Sequence, residues 1–149
     1  RFWPAFKGRD GCRTPMVWEA DAANAGFSAG KPWLPIPPAH RDRAVDRQRA
    51  DPGSMLACYR DMLALRKAHP ALVRGSIRFL DAQGDVLAFL REAEGEKLLC
   101  VFNFSDKPAE WTPPAEIAPH RTVLSASGPS AGAGALSLGA LGHCIARLG

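Results

Sequence analysis

The sequence predicts a mixed α+β chain: an irregular, aromatic-rich segment, one helix, and then a small antiparallel all-β sandwich. Three observations carry this. Phe2, Trp3, Phe6, Trp18, Phe27 and Trp33 are scattered through residues 1–50 without helical or strand period. Residues 52–68 repeat apolar side chains at the helical period. From Ser76 onward the period shifts towards two.

The first fifty residues read as one long irregular segment. Loops of that length occur where they are functional and lie against a scaffold. The aromatics need a surface to bury them, so the segment is expected to belong to a larger body. Within it, Gly8-Arg9-Asp10-Gly11-Cys12-Arg13-Thr14-Pro15-Met16 packs three charges, a proline and two glycines into nine residues. Gly and Pro break helix and strand alike, so this run is a turn. Two arginines flanking an aspartate in a rigid turn make a fork for hydroxyls or carboxylates. The same charges would also serve simply to stitch the loop together through Asp10.

The helix over 52–68 has two candidate starts. Asp51 would cap it with Pro52 in the first turn, and Ser54 offers an alternative cap. Met55, Leu56, Tyr59, Met62 and Leu63 recur at helical spacing and form one apolar face. Arg66, Lys67 and His69 lie near its C-terminal end, where positive charge suits the helix dipole. His69-Pro70 stops it.

Beyond it, 76–80, 86–91, 97–104, 121–125 and 143–148 read as short strands, with a sixth near 135–138. Ala82-Gln83-Gly84-Asp85 and Glu94-Gly95-Glu96 read as hairpin turns. Asn103-Phe104-Ser105-Asp106 ends the third strand in turn formers. Phe102 and Phe104 share a strand face and read as core. Five or six such strands suit a β-sandwich near the lower limit of core size.

Composition excludes several classes. With 46% hydrophobic and 23% charged residues the chain is globular, and no run is long enough to cross a membrane. The net charge is +4, with 14 Arg against 5 Lys. Its densest basic stretch, 40–49, alternates with Asp42 and Asp46, which marks a solvated or salt-bridged surface rather than a nucleic-acid face. Neither nucleic acid nor membrane is an expected partner. The cysteines at 12, 58, 100 and 144 form no C-x-x-C, so no structural zinc is expected. They read as reduced thiols of a cytoplasmic protein, with Cys100 a small buried hydrophobe. His40, His120 and His143 lack a metal or nucleophile pattern. Ser105 and Ser125 lack G-x-S-x-G, and Gly132-Ala133-Gly134 has no phosphate-binding context. No cofactor is expected.

Arg9-Asp10-Gly11-Cys12-Arg13-Thr14-Pro15-Met16-Val17-Trp18 resembles the GRDGxRTPMxW segment of the α-glucosidases and oligo-1,6-glucosidases of the α-amylase superfamily of glycoside hydrolases. The likeness continues through Asn24-Ala25-Gly26-Phe27-Ser28 and Pro32-Trp33-Leu34-Pro35. It extends to Leu63-Ala64-Leu65-Arg66-Lys67-Ala68-His69-Pro70-Ala71-Leu72 and to Leu99-Cys100-Val101-Phe102-Asn103-Phe104-Ser105. The opening motif is highly specific. The later ones are family-typical, and the last forty or so residues carry little signature.

This resemblance implies that residues 1–72 are the terminal loop and last helix of a (β/α)₈ barrel and 73–149 a C-terminal β-sandwich domain. In that family the segment follows the last barrel strand. A chain opening on Arg1 in mid-loop is therefore expected to be the C-terminal part of a longer enzyme, with the rest of the barrel as its partner. Retaining hydrolysis needs two carboxyl groups about 5–5.5 Å apart. The family's catalytic carboxylates lie upstream and Asp10, Glu19 and Asp21 match none of them, so the chain alone is expected to be inactive.

What the resemblance implies instead is recognition. The family uses an arginine of this loop, paired with an upstream Asp, to grip the non-reducing glucose, which favours an exo-acting enzyme. Arg13 is the expected residue and Arg9 the second choice. The expected substrate is terminal α-linked glucose on short oligosaccharides, or sucrose. Trehalose synthase and sucrose isomerase share this type of loop and remain alternatives. So does a non-catalytic sandwich module that binds carbohydrate or another domain. Trp18 and Trp33 are expected to anchor the loop to the barrel rather than to stack on sugar, and the helix's apolar face is expected to be partly exposed.

Overall fold

The computed structural model describes residues 8–117, 121–127 and 134–149. Phe2, Trp3, Phe6, His120 and the Gly132-Ala133 pair lie outside them. The chain divides into two compact units, 1–63 and 64–149.

In the first unit the expected irregular segment contains short helical pieces. They are 3₁₀ turns at Asp10–Cys12 and Ala23–Gly26 and helices α1, Pro38–Arg41, and α2, Val45–Ala50. Pieces of four to six residues cannot show an apolar period, so the sequence pattern missed them. Proline at the first position starts α1. The core is small: Val17, Ala20, Ala25 and Ala44, with Ile36 against it. Two backbone bonds tie the loop to the start of α2, Val45 N–H to Val17 O and Asp46 N–H to Trp18 O, both 3.0 Å. The Asp46 carboxylate takes the Ala20 N–H at 3.1 Å. Trp18 and Phe27 remain about half exposed and Trp33 is 76% exposed.

Helix α3 spans Met55–Ala68. Of its two candidate caps Ser54 is the one used, its Oγ accepting the Ala57 N–H at 3.1 Å. Asp51 instead accepts the Gly53 N–H at 2.8 Å, so its carboxylate closes the turn before the helix. Met55 and Tyr59 stand out as exposed, at 71% and 65%. Leu56 and Met62 on the same face are half-buried, so the apolar face is partly exposed, as expected.

The second unit takes in the end of α3 and α4, Pro70–Arg74, and continues as β1 Ser76–Leu80, β2 Val86–Ala93, β3 Glu96–Asn103, β4 Ala109–Trp111, β5 Arg121–Ala126, β6 Leu136–Leu138 and β7 His143–Leu148. β1-β2-β3-β7-β5 form one antiparallel sheet and β4-β6 a second. Glu94 and Gly95 both have positive φ, 54° and 78°, the conformation of a tight two-residue hairpin between β2 and β3. At three residues, β4 is too short for its alternation to be read from sequence.

The core lies between the sheets. Ala88 and Leu90, Leu99 and Val101, and Cys144 and Ala146 meet Trp111, Leu136 and Leu138. Because Val101 points inward, Phe102 points outward. Phe104, past the end of β3, is 64% exposed. The expectation that this pair is core is therefore corrected. Both rings belong to an outer aromatic row with Phe79, Phe89 and His143, neighbouring centroids lying 6.0–6.5 Å apart. Buried Asn103 is fully used: its amide donates to Lys107 O and Gly139 O, and its oxygen accepts the Ser105 N–H. That single side chain sets the turn after β3.

Glu96 on β3 makes two of the contacts that join the start of α4 to the sheet. His69 Nδ1 lies 2.5 Å from Glu96 Oε1, and Glu96 Oε2 accepts the Ala71 N–H at 3.2 Å. Burial pushes the Glu96 carboxyl up, but the His69 and Ala71 hydrogen bonds, with the charges of His69 and Arg147, outweigh it and hold it below its usual value. A carboxyl depressed in the folded state stabilises fully above its ordinary pKa of about 4.5, and that contribution disappears as pH falls through the lower folded value. Glu96→Gln is expected to lower the melting temperature at neutral pH and to narrow the difference from wild type below pH 4. Parallel melting curves that stay equally separated at all pH values would contradict this.

Gly75 follows α4 where the backbone turns into β1. A Cβ there would lie 2.4 Å from Ala71 O and 2.9 Å from Glu92 O. Both obstacles are backbone, so Gly75→Ala is expected to cost about 1–3 kcal/mol by overpacking. A denaturant midpoint equal to wild type would refute the close approach.

Candidate functional site

The charged loop is built on a single 3₁₀ turn. Cys12 N–H donates to Arg9 O and Arg13 N–H to Asp10 O, both at 3.1 Å. The Cys12 thiol adds a contact to the same Arg9 oxygen at 3.0 Å. Gly11 sits in open space, so this turn is exposed on its outer side. After it the chain turns inward: Pro15 and Val17 are buried, and the Thr14 hydroxyl lies 3.5 Å from His40 Nδ1. The turn is thus held at its base while its charged tip faces solvent.

Next the chain doubles back. Asn24 and Ala25 adopt left-handed conformations, with φ of 49° and 56°. Ala25 is fully buried, and its carbonyl accepts both the Trp18 and Glu19 N–H groups. Tight packing and these bonds hold a conformation that alanine disfavours by about 1–2 kcal/mol. The Asn24 amide then donates to Ser28 O and Gly30 O, each at 3.1 Å, closing the following loop. This reversal returns Trp33 to the charged turn. The Arg13 guanidinium carbon lies 4.8 Å from the centre of the Trp33 ring.

The two arginines singled out by sequence are placed differently. Arg13 sits over Trp33 and 3.5 Å from Asp10, with about half its side chain exposed. Arg9 is exposed and contributes its backbone carbonyl to the turn. The Arg13–Asp10 pair is single and solvent-screened, so it adds little stability. Asp21 is held by Arg47 at 3.5 Å, and Arg47 also meets Asp42 at 3.3 Å, which makes the alternating stretch a salt-bridged surface.

Beside the loop lies a cleft of about 400 Å³ of mixed lining, apolar at Pro15, Met16 and Val17, with Thr14, His40, Arg43 and Gln48 supplying polar groups. A separate apolar groove of about 340 Å³ runs between Met16, Val45 and the exposed face of α3. The cleft puts hydrogen-bonding groups next to the turn. Trp33, expected to anchor the loop to the barrel, carries the Arg13 cation over its ring among the described residues. The Arg13–Trp33 contact was missed because nineteen intervening residues hide it. Its one sequence signal is a tryptophan held between Pro32 and Pro35.

Elsewhere the titratable groups are structural. Burial, with a smaller push from Cys144 and against the pull of Arg91, drives the Cys100 thiol up to about 11, so it stays protonated and inert. Burial raises the Cys144 thiol too. Burial pushes the His143 imidazole down, and its two nitrogens face Ser125 Oγ at 2.8 Å and Ser127 Oγ at 3.1 Å. With hydroxyls on both ring nitrogens, no carboxylate orients this histidine as a serine nucleophile requires. Among the described residues, no cluster of three His, Cys, Asp or Glu side chains could hold a metal, and no helix is long and apolar enough to cross a membrane.

Comparison with known proteins places this geometry. Residues 2–75 match the family described as alpha amylase, catalytic domain, and residues 77–145 that described as maltogenic amylase, C-terminal domain. A probable alpha-glucosidase of Rhizobium meliloti is 55% identical over 73% of this chain, and the match covers 20% of that relative. The chain thus spans about a fifth of the relative's length. The crystal structure of XgtA, an alpha-glucosyl transfer enzyme, superposes with a TM-score of 0.83 at 42% identity, covering 99% of this chain and 28% of that one. The trehalulose synthase MutB of Pseudomonas mesoacidophila MX-45 gives 0.81 at 37% identity, covering 95% of this chain and 26% of that one. A variant of MutB has been crystallised with its substrate sucrose.

Proposed function

Because the chain belongs to the α-amylase superfamily of glycoside hydrolases, with the end of its catalytic domain followed by a C-terminal β domain, we propose that it is the C-terminal part of an exo-acting α-glucosidase. That enzyme releases terminal α-linked glucose from short oligosaccharides or sucrose with retention of configuration. Residues 1–72 supply its last substrate-side loop and last barrel helix, and 73–149 its sandwich domain.

The observation that carries this reading is the placement of Arg13. Its guanidinium lies over an indole and beside one carboxylate oxygen, half exposed on a turn whose base is packed. A ring has no acceptor lone pair to take an N–H, and Asp10 meets only Nη1, so most of the fork's donors stay available to hold sugar hydroxyls or a carboxylate. Arg13 grips the non-reducing glucose in company with a carboxylate from the rest of the barrel. A charge pair behind the terminal sugar closes the pocket there, so only chain ends fit. Arg9, four residues earlier on the same turn, is the second contact.

These residues bind and orient; they do not break the bond. Holding the terminal ring fixes its reacting carbon against the nucleophile, so that attack competes with no other orientation. The two carboxyl groups of a retaining site come from other parts of the enzyme. Within this chain Asp10 and Asp21 are paired with Arg13 and Arg47.

A second reading, sugar isomerisation, is favoured by the likeness to the trehalulose synthase MutB. There the glucosyl group passes to a sugar hydroxyl instead of water. Product analysis of the whole enzyme with maltose, isomaltose and sucrose decides between them. Free glucose from all three substrates supports the hydrolase, isomeric disaccharide from sucrose supports the isomerase, and no turnover of any α-glucoside overturns both.

A further inference from the structure

We propose that Trp33 is a positioning residue for Arg13: its indole face aims the guanidinium fork at the terminal sugar. This rests on the sugar-gripping role given to Arg13 above.

An arginine on an exposed turn has a long, freely rotating stem, and a planar fork is selective only when its plane is fixed. Asp10 alone does not fix it. The pair has one contact, Arg13 Nη1 to Asp10 Oδ1 at 3.5 Å, and the guanidinium remains free to swing about it. Trp33 adds a second constraint of a different kind. With the guanidinium carbon 4.8 Å from the ring centre, the cation is held by the ring's negative face. A carboxylate would hold the fork by occupying its N–H donors. The indole holds it through the charge, without a hydrogen-bond acceptor, and leaves those donors for the ligand.

The tryptophan is in turn held by the backbone rather than by burial. It is 76% exposed, and its indole N–H has no hydrogen bond among the described residues. Pro32 and Pro35 restrict the chain on either side of it. The Asn24 amide clamps the preceding loop through Ser28 O and Gly30 O.

The test has two arms. In the whole enzyme, isotopically labelled at arginine alone, nuclear magnetic resonance reads the Arg13 δ and ε protons, which the indole ring current shifts upfield. Trp33→Ala should return them to ordinary positions, and an Arg13 spectrum indifferent to that change overturns the proposal. In the whole enzyme acting on p-nitrophenyl α-glucoside, Trp33→Ala should cut kcat/KM about tenfold, and Trp33→Phe, which keeps an aromatic face, should stay within about threefold. On an Arg13→Ala background, Trp33→Ala should cost nothing more. Additive losses would show that Trp33 acts on its own and overturn the positioning role alone. Near-normal turnover of Arg13→Ala would instead overturn the gripping role, whatever Trp33 does.

Discussion

Arg13→Ala in the whole enzyme should lower kcat/KM by roughly two to three orders of magnitude, about 3–4 kcal/mol of transition-state binding. The size follows from what is removed. A charged fork that holds sugar hydroxyls against a partner carboxylate makes charge-assisted bonds, roughly twice as strong as neutral ones. Its loss also strands that carboxylate without a partner. Folding should hardly change, because Arg13 is half exposed and its one ion pair is solvent-screened. Steady-state kinetics beside a thermal melt separates the two. A normal melt with collapsed turnover fits substrate recognition, whereas near-normal turnover leaves Arg13 as loop stitching through Asp10. Arg13→Lys should recover little, since an ammonium cannot reproduce the planar fork.

The largest effect on stability is expected from Trp111→Ala. Trp111 lies on β4, is 5% exposed, and fills the space between the two sheets beside Leu136 and Leu138. Its indole N–H donates to Asp81 O at 3.0 Å, tying the short sheet to the end of β1. Truncating a buried tryptophan typically costs about 3–5 kcal/mol, with the cavity adding to the lost transfer energy. Small domains hold only about 5–15 kcal/mol in all. The melting temperature should therefore fall by more than about 12 °C. Trp111→Phe keeps most of the packing but leaves Asp81 O without this donor, so an intermediate fall is expected. Circular dichroism melts of the three proteins would show it, and a shift of only a few degrees for Trp111→Ala would mean that the sandwich core does not depend on this side chain.

Much of the second unit was legible because its signals are local. β1 and β7 fall where alternation places them, and the turn between β2 and β3 is marked by Gly95, which takes positive φ without strain. β4 was not legible, since three residues after Pro108 carry no period. The outward turn of Phe102 and Phe104 was misread for a related reason. Alternation tells which residues share a face, and only the register against β2 and β7 tells which face is the core. In the first unit the motif around Arg13 was visible, but its neighbour Trp33 was not. That contact depends on the left-handed pair Asn24 and Ala25, and an alanine in that conformation leaves no mark in a sequence. The choice of Ser54 over Asp51 as the cap of α3 likewise turned on whether Asp51 was already engaged by Gly53.

The five-stranded sheet ends in β1 on one side and β5 on the other, and each edge departs from a plain strand. On β1, Arg78 pairs with the fully buried Leu90 and so lies on the core side of the sheet, yet it is itself exposed. On β5 the register slips between Val123 and Ser125, a bulge that breaks the regular row of hydrogen-bonding groups. A second strand adding at β1 would have to bring that charge into a dry interface, and one adding at β5 would meet a broken ladder. The sheet is thereby guarded against edge-to-edge growth into aggregates. Arg78→Val, or deletion of Leu124 to restore an even strand, would remove one guard each.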